Sequence, residues 1–157
     1  MAIVKLTKDK YQYKGDVIKV IHYIGNLSKC NHEIFGGRNL FNYFNYYGDL
    51  IAEQFLAIQQ GQRFVRRIYH LIISFDSKID NADLFFAQRV GQRLCDLYPE
   101  YQSIFVVHED KEALHMHMVF NNCPIFPGKP KLTSVFNLPL LQDIVDTMIS
   151  KHLGIPM

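Results

Sequence analysis

Hydrophobic and polar residues change their spacing along the chain, and these changes predict the order of helices and strands. Near-alternation over Ala2–Leu6 predicts a first strand. Apolar residues at positions 17, 18, 20, 21 and 24 form one helical face, which predicts a helix over Asp16–Ile24 with Asp16 as its N-cap. The polar, glycine-bearing stretch 25–39 predicts a loop that contains Gly36-Gly37-Arg38.

The rest of the chain predicts further helices and strands. In chain order they are a long helix over Asn39–Gln60, a strand over Val65–Phe75, a helix from Asp80 or Asn81 to Tyr98, strands over Ser103–Glu109 and His115–Asn121, and a helix over Pro139–Leu153. The strands that flank residues 110–114 are expected to form an antiparallel hairpin. The predicted fold class is α+β: a mostly antiparallel sheet of about five strands with flanking helices, in a single domain over 1–157.

The composition is that of an ordinary globular domain, with 157 residues, 48% hydrophobic and 20% charged. These values exclude disordered, collagen-like and coiled-coil chains, and no apolar run approaches the ~18 residues of a membrane span. The N-terminus, Met-Ala-Ile-Val-Lys-Leu, lacks the apolar segment and cleavage site of a secretory signal. Three widely spaced cysteines, Cys30, Cys95 and Cys123, favour a reducing cytoplasm over a disulfide framework.

Charge is distributed unevenly, although the net charge is only +2. Residues 1–79 contain 11 Lys/Arg and 6 Asp/Glu, whereas residues 80–157 contain 6 and 9. A positive half suits an anionic partner, but an excess of this size is modest. By itself it favours nucleic acid only weakly over an ordinary solvated surface.

Three histidines in the predicted hairpin are the strongest chemical signal. His115 and His117 are two residues apart on a strand, so they project from one face. If the hairpin pairs residue 108 with residue 115, His108 lies opposite on that face, and cross-strand Cβ distances of ~5 Å allow three imidazoles to surround one metal ion. Three neutral nitrogen ligands leave positions open for water or substrate, which is typical of a catalytic metal site. The alternative is a group of hairpin histidines at a solvent-exposed edge.

Neighbouring side chains are candidates for orienting these histidines. A metal-bound imidazole usually donates its other N–H to a carboxylate. Asp110 at the turn is favoured for this role over Glu109, which points away from His108 by strand alternation. Asn121 lies further along the histidine face. His70, on the preceding strand, is either a core histidine or a contact near the metal.

The histidine stretch resembles the signature of HUH endonucleases, in which a His-hydrophobic-His pair lies on a strand. The extended pattern, His108-x-Asp110 followed by His115-x-His117-x3-Asn121, is similar to the third motif of plasmid and integrative-element relaxases. These enzymes form the mobilisation-nuclease family, which includes MobP-like members.

Other segments extend this resemblance over about residues 2–155. Tyr69–Phe75 is similar to the family's strand with its His…Ser-Phe pattern, and Leu97–Gln102 to the segment that precedes the third motif. Val20–Ile24 followed by Lys29 resembles the first motif, which carries the nucleophilic tyrosine in MobP-like relaxases.

The resemblance implies a reaction, a cofactor and partners. A relaxase tyrosine attacks one DNA strand at a transfer origin, leaving a 5′-phosphotyrosyl adduct and a free 3′-OH, and a second transesterification rejoins the strand. The divalent metal is expected to be Mg²⁺ or Mn²⁺, and three imidazoles equally accept Zn²⁺, Ni²⁺ or Co²⁺. Single-stranded DNA is the implied partner, together with an auxiliary DNA-binding protein and a conjugative coupling protein, in the bacterial cytoplasm.

The nucleophile is assigned to Tyr23, because it matches the first motif and ends a short helix before a glycine loop. A phenol of ordinary pKa ~10 needs a metal or base nearby to attack. His22 is the first alternative, since some mobilisation nucleases use a histidine. Tyr43, Tyr46 and Tyr47 have the i, i+3, i+4 spacing of a helix packing face. They also precede the histidine motif, whereas the tyrosine pairs of rolling-circle replication proteins follow it.

The candidate contacts to DNA phosphates are Lys29, Arg38, Arg66 and Arg67, with Arg38 favoured because its flanking glycines allow close approach to a phosphate. Other functions stay open at this point. Another HUH enzyme, a rolling-circle replication initiator or transposase, would act on a different DNA substrate. A non-catalytic DNA-binding module would bind DNA without forming an adduct, and a histidine-metal hydrolase unrelated to DNA would not bind it.

Overall fold

The computed structural model describes residues 2–26, 30–41, 46–76, 78–109 and 114–155, with the backbone alone at 30–33. The described strands are β1 (Ile3–Leu6), β2 (Cys30–Arg38), β3 (Ile68–Phe75), β4 (Tyr101–His108) and β5 (Leu114–Pro124). The described α-helices are α1 (Lys14–Ile24), α2 (Gly48–Gln59), α3 (Leu84–Leu97) and α4 (Leu138–His152), and Leu132–Ser134 forms a 3₁₀ turn. No helix in these ranges is both long and apolar enough to cross a membrane.

The strands form one sheet in the order β1-β3-β5-β4-β2, and every neighbouring pair is antiparallel. One core cluster joins α1 and α2 to one face of the sheet, and a second joins α3 and α4 to the other. We call these the α1/α2 face and the α3/α4 face. The prediction of an α+β fold with an antiparallel sheet of about five strands and flanking helices is therefore confirmed.

The helix starts follow local capping chemistry. Asp83 precedes α3 and its Oδ1 accepts the backbone N–H of Phe86 at 2.8 Å. The predicted cap of α1 is wrong, because this helix begins at Lys14 and Asp16 lies inside its first turn. There the Asp16 carboxylate accepts the backbone N–H of Tyr13 at 3.0 Å, so it still satisfies a donor at the helix start.

The predicted loop over 25–39 is wrong for most of its length, because residues 30–38 form the edge strand β2. Its glycines allow close packing instead of a turn. A Cβ atom on Gly36 would lie 2.7 Å from the Phe105 ring, and one on Gly37 would lie 2.3 Å from the carbonyl oxygen of Ser103. Only glycine lets this strand approach β4 so closely.

The predicted helix over Asn39–Gln60 is shorter than expected, because α2 begins only at Gly48. Asn39 has a left-handed φ of 62°, which ends the strand without starting a helix. Tyr46 and Tyr47 therefore precede α2 instead of forming a helix face, while Tyr43 lies outside the described residues. Tyr46 is buried, and its hydroxyl donates to the carbonyl of Ile21 in α1.

Candidate metal centre

The three histidines of the hairpin converge on the α1/α2 face. The register pairs His108, at the end of β4, directly with His115 on β5, which is the pairing that the sequence argument required. One ring nitrogen from each of His108, His115 and His117 lies within 4.8 Å of the others, and the ring centroids are 4.5–5.4 Å apart. His108 and His117 are buried, and His115 is half-buried. We call these residues the triad.

The donor set of the triad fits a divalent metal ion. Imidazole nitrogens are ligands for Zn²⁺, Co²⁺, Ni²⁺ and Mn²⁺, and three of them leave coordination positions for a substrate oxygen. The half-buried His115 keeps one side of the cluster open to solvent. Asp110, the carboxylate expected to orient a ligand, lies outside the described residues.

A chain of hydrogen bonds runs from His117 away from the triad. His117 Nδ1 and His70 Nε2 are 2.8 Å apart, His70 Nδ1 and the Tyr11 hydroxyl are 3.0 Å apart, and that hydroxyl lies 3.1 Å from Thr7 Oγ1. Because β3 pairs His70 with Val119, His70 is the diagonal cross-strand neighbour of His117. His70 therefore contacts a triad histidine directly. Of the two sequence-based interpretations of His70, this geometry fits a contact near the candidate metal site.

His70 is uncharged at neutral pH. Burial lowers the pKa of His70 to about 4; Asp9 opposes this shift and His108 adds to it. A neutral imidazole carries one N–H and one lone pair, so His70 can accept a hydrogen bond on one side and donate on the other. It thus occupies the place that a carboxylate usually takes behind a metal-binding histidine.

Tyr23 lies at the C-terminal end of α1, beside the triad. Its ring meets the His117 ring edge-on, with centroids 5.4 Å apart and planes at 88°, and 48% of the residue is exposed. His108 Nε2 donates to the carbonyl of Ile24 at 2.7 Å, which fastens the end of α1 to β4. Because Nε2 carries this proton, Nδ1 is the nitrogen through which a neutral His108 can bind metal.

His22, the alternative nucleophile, is directed elsewhere. Its Nε2 donates to Asp49 Oδ1 at 2.7 Å, and its ring packs against Gly48, where an added Cβ would meet it at 2.7 Å. Both partners belong to the first turn of α2. Of these two adjacent residues, only Tyr23 has its ring in contact with the triad.

Asn121 lies in a buried amide network and not beside the triad. Its Nδ2 donates to Gln102 Oε1 at 2.9 Å and to the Phe55 carbonyl at 3.1 Å. Its Oδ1 accepts from Gln59 Nε2 and from the backbone of Cys123, each at 2.9 Å. These bonds join α2 to the sheet, so the structure does not bring Asn121 to the place expected from its motif.

Arg38 is also not brought to the triad. It ends β2 instead of lying in a glycine loop, and its Nη1 donates to Asp96 Oδ1 on α3 at 3.0 Å. Its side chain therefore engages the α3/α4 face, opposite the histidines. Lys29 lies outside the described residues.

Arg66 and Arg67 make contacts within the protein. The Arg66 guanidinium lies 4.7 Å from the centre of the Tyr69 ring. Arg67 Nη1 donates to Gln59 Oε1 and its Nε to the Gln12 carbonyl, both at 2.8 Å. These contacts hold the segment before β3 against its neighbours, and a role in binding phosphates stays a prediction for both arginines.

Sequence reasoning missed Thr7 and Tyr11. Tyr11 is one of nine tyrosines in the sequence, and it lies 59 residues from His70 along the chain. No local spacing links the two residues, because their contact arises when β1 pairs with β3. The left-handed φ of Tyr11 cannot be read from sequence either.

The model of the relaxase family, described as MobA/VirD2-like, nuclease domain, matches residues 19–152 of the chain. This match includes Tyr23, His70 and the triad. A search of curated proteins finds no match.

Proposed function

Since this chain belongs to the relaxase family of MobA/VirD2-like nuclease domains, we propose that it nicks and rejoins single-stranded DNA at the transfer origin of a plasmid or integrative element. The observation that carries the proposal is the position of Tyr23, whose half-exposed ring contacts a triad histidine. A nucleophile and a metal-binding cluster are thus adjacent on one face. The alternative nucleophile His22 is bonded to Asp49.

The triad is the proposed metal site. His108, His115 and His117 would hold one divalent ion, with Mg²⁺ or Mn²⁺ as the expected ion and Zn²⁺, Ni²⁺ or Co²⁺ compatible with the ligands. When bound, the ion polarises the scissile phosphate and offsets the charge that develops on its oxygens. The bond from His108 to the Ile24 carbonyl keeps the tyrosine-bearing helix end beside the cluster.

The proposed reaction is a reversible transesterification. The Tyr23 hydroxyl oxygen attacks phosphorus, and its proton leaves to solvent or a base. The bond between phosphorus and the 3′ oxygen breaks, and that oxygen takes up a proton to become a free 3′-OH. Tyr23 then carries the 5′-phosphate, and attack by a 3′-OH reverses these steps and releases the tyrosine.

Further partners follow from the family and belong to this proposal. Single-stranded DNA is the substrate, and a bacterial cytoplasm is the expected location. An auxiliary DNA-binding protein and a conjugative coupling protein are the additional partners that a relaxase would need to act in strand transfer.

A covalent-adduct assay tests the proposal. The protein is mixed with labelled single-stranded DNA from its own mobile element, with Mn²⁺ or with a chelator, and resolved on denaturing gels. We expect an SDS-resistant adduct that requires Mn²⁺ and disappears in Tyr23→Phe and His117→Ala. Tyr47→Phe is the matched control, because Tyr47 is a tyrosine of similar exposure, 57% against 48% for Tyr23, that directly precedes α2.

The possible outcomes separate the alternatives. An adduct that survives Tyr23→Phe but not His117→Ala would move the nucleophile, and His22→Ala would be tested next. Cleavage of an origin hairpin or transposon end, but not of a transfer origin, would indicate another HUH enzyme. DNA binding without any adduct would contradict the enzyme assignment and favour a non-catalytic module.

A further inference from the structure

Two residues near the start of the chain, Thr7 and Tyr11, are linked to the triad through His70. We propose that Tyr11 and Thr7 are positioning residues, which hold His70 and, through it, His117 in the tautomer that metal binding requires. This inference rests on the metal site of the proposed function. It adds two residues that lie outside the stretch matched by the family model, 19–152.

The segment 7–11 contacts His70 at both its backbone and its side chain. The Thr7 backbone N–H donates to the His70 carbonyl at 3.0 Å, while the Tyr11 hydroxyl lies 3.0 Å from His70 Nδ1. Thr7 Oγ1 is in turn 3.1 Å from that hydroxyl. The same short segment therefore fixes the strand position and the ring of His70 together.

Tyr11 holds an unusual backbone conformation that directs its ring to this place. Its φ is 52°, in the left-handed region that bulky side chains rarely adopt. Two bonds to Arg67 hold this turn: the Arg67 N–H donates to the Tyr11 carbonyl at 3.1 Å, and its guanidinium Nε donates to the Gln12 carbonyl at 2.8 Å. Strain kept in place by surrounding contacts is typical of residues with a functional role.

The tautomers follow from the contacts one step at a time. His117 Nδ1 is bonded to His70, so Nε2 is the nitrogen that binds metal and Nδ1 must carry the proton. His70 Nε2 must then accept, and His70 Nδ1 must carry a proton that needs an acceptor. The Tyr11 oxygen is that acceptor, and the Tyr11 proton points to Thr7 Oγ1.

Without the Tyr11 oxygen, the donor and acceptor roles of His70 and His117 are no longer fixed. In Tyr11→Phe, His70 loses its acceptor at Nδ1 and can move its proton to Nε2, which then donates to His117 Nδ1. The proton of His117 shifts to Nε2, the nitrogen that must bind metal. Metal binding then has to reverse both tautomers, so affinity falls.

Metal binding by the intact chain tests the inference without DNA. Metal-free protein is titrated with Co²⁺ and followed by visible absorption. Loss of a group directly behind a ligand typically costs 10–100-fold in metal affinity, and Tyr11 is one bond further away, so we expect about 3- to 10-fold weaker binding in Tyr11→Phe. Thr7→Val should shift affinity in the same direction by less. Tyr13→Phe is the control, because Tyr13 lies two residues beyond Tyr11 and is 68% exposed.

Long-range ¹H–¹⁵N NMR of the metal-free protein gives a second readout, one that a merely structural role would not change. We expect His117 to be protonated at Nδ1 in the wild type and to gain the Nε2–H form in Tyr11→Phe. Circular dichroism checks that each variant is folded.

Each outcome supports or overturns the inference. Unchanged Co²⁺ affinity and an unchanged His117 tautomer in folded Tyr11→Phe would overturn it, even if that variant melts at a lower temperature. Equal losses in Tyr11→Phe and Tyr13→Phe would also overturn it. Wild-type protein that binds no Co²⁺ would overturn the metal site itself, which distinguishes that failure from a failure of Tyr11 alone.

Discussion

Replacing Asn121 by alanine tests whether this residue serves the fold or the metal site. Its position in the histidine motif predicted a role beside the metal, whereas the structure gives it four hydrogen bonds to Gln102, Phe55, Gln59 and Cys123. Asn121→Ala should therefore lower stability strongly and leave metal affinity of the folded protein unchanged.

The size of the effect follows from these bonds. Asn121 is fully buried, and its four bonds are 2.9–3.1 Å long. A buried hydrogen bond contributes roughly 1 kcal/mol net, so the loss is about 4 kcal/mol. At about 2–4 °C per kcal/mol for a domain of this size, Tm should fall by about 8–16 °C. A domain with ordinary stability of roughly 5–15 kcal/mol stays folded in the cold.

Urea and thermal unfolding followed by circular dichroism measure the loss, and Co²⁺ titration at 10 °C measures metal affinity. His115→Ala is the opposite case. Removal of this half-buried histidine should abolish tight Co²⁺ binding and should lower the free energy of unfolding by about 1 kcal/mol or less. A loss below about 1 kcal/mol in Asn121→Ala, or weaker Co²⁺ binding by its folded form, would refute the reasoning.

Three further substitutions examine other features of the fold. Gly37→Ala places a Cβ 2.3 Å from the Ser103 carbonyl oxygen and should cost about 2–3 kcal/mol in urea unfolding, whereas Gly15→Ala in α1 meets no atom within 4 Å and should stabilise slightly. Arg38→Ala removes a half-exposed ion pair with Asp96, so we expect the free energy of unfolding to fall by about 1 kcal/mol or less. Affinity for single-stranded DNA, measured by fluorescence anisotropy, should be unchanged. A weakening of DNA binding beyond about 3-fold would indicate that Arg38 contacts DNA. Burial raises the pKa of the Cys95 thiol to about 12, and Cys123 is also buried. In Cys30→Ser, where these are the two remaining cysteines, neither thiol should react promptly with a disulfide reagent at pH 8 until the protein unfolds.

The elements predicted correctly are those in which local pattern and tertiary packing agree. β4 and β5 are close in sequence, and their alternation places His115 and His117 on one face. The short connection between these strands leaves little freedom of register, so the pairing of His108 with His115 can be predicted from the sequence. The three histidines of the candidate metal site are therefore predictable without knowledge of the sheet order.

The errors fall where tertiary packing overrides local preference. Gly36 and Gly37 favour a loop by themselves, but in the folded chain they let an edge strand lie close against Phe105 and Ser103. The i, i+3, i+4 spacing of Tyr43, Tyr46 and Tyr47 is equally misleading, because Tyr46 and Tyr47 precede the helix, which starts at Gly48. Such contacts depend on residues far away in the chain, and a local pattern does not contain them.

The triad also depends both on residues that are close in the sequence and on residues that are far apart in it. Its three histidines lie within ten residues, but the groups that orient them come from elsewhere: His70 is 47 residues from His117, and Ile24 is 84 residues from His108. Spacing alone therefore predicts that a metal can bind and says nothing of which nitrogen binds it. We propose that this choice is made by the hydrogen bonds of His70 and of the end of α1. The hydrogen bond at the end of α1 also keeps Tyr23 against His117. The geometry of the candidate metal site and the position of Tyr23, the proposed nucleophile, thus depend on the same assembled face of the sheet.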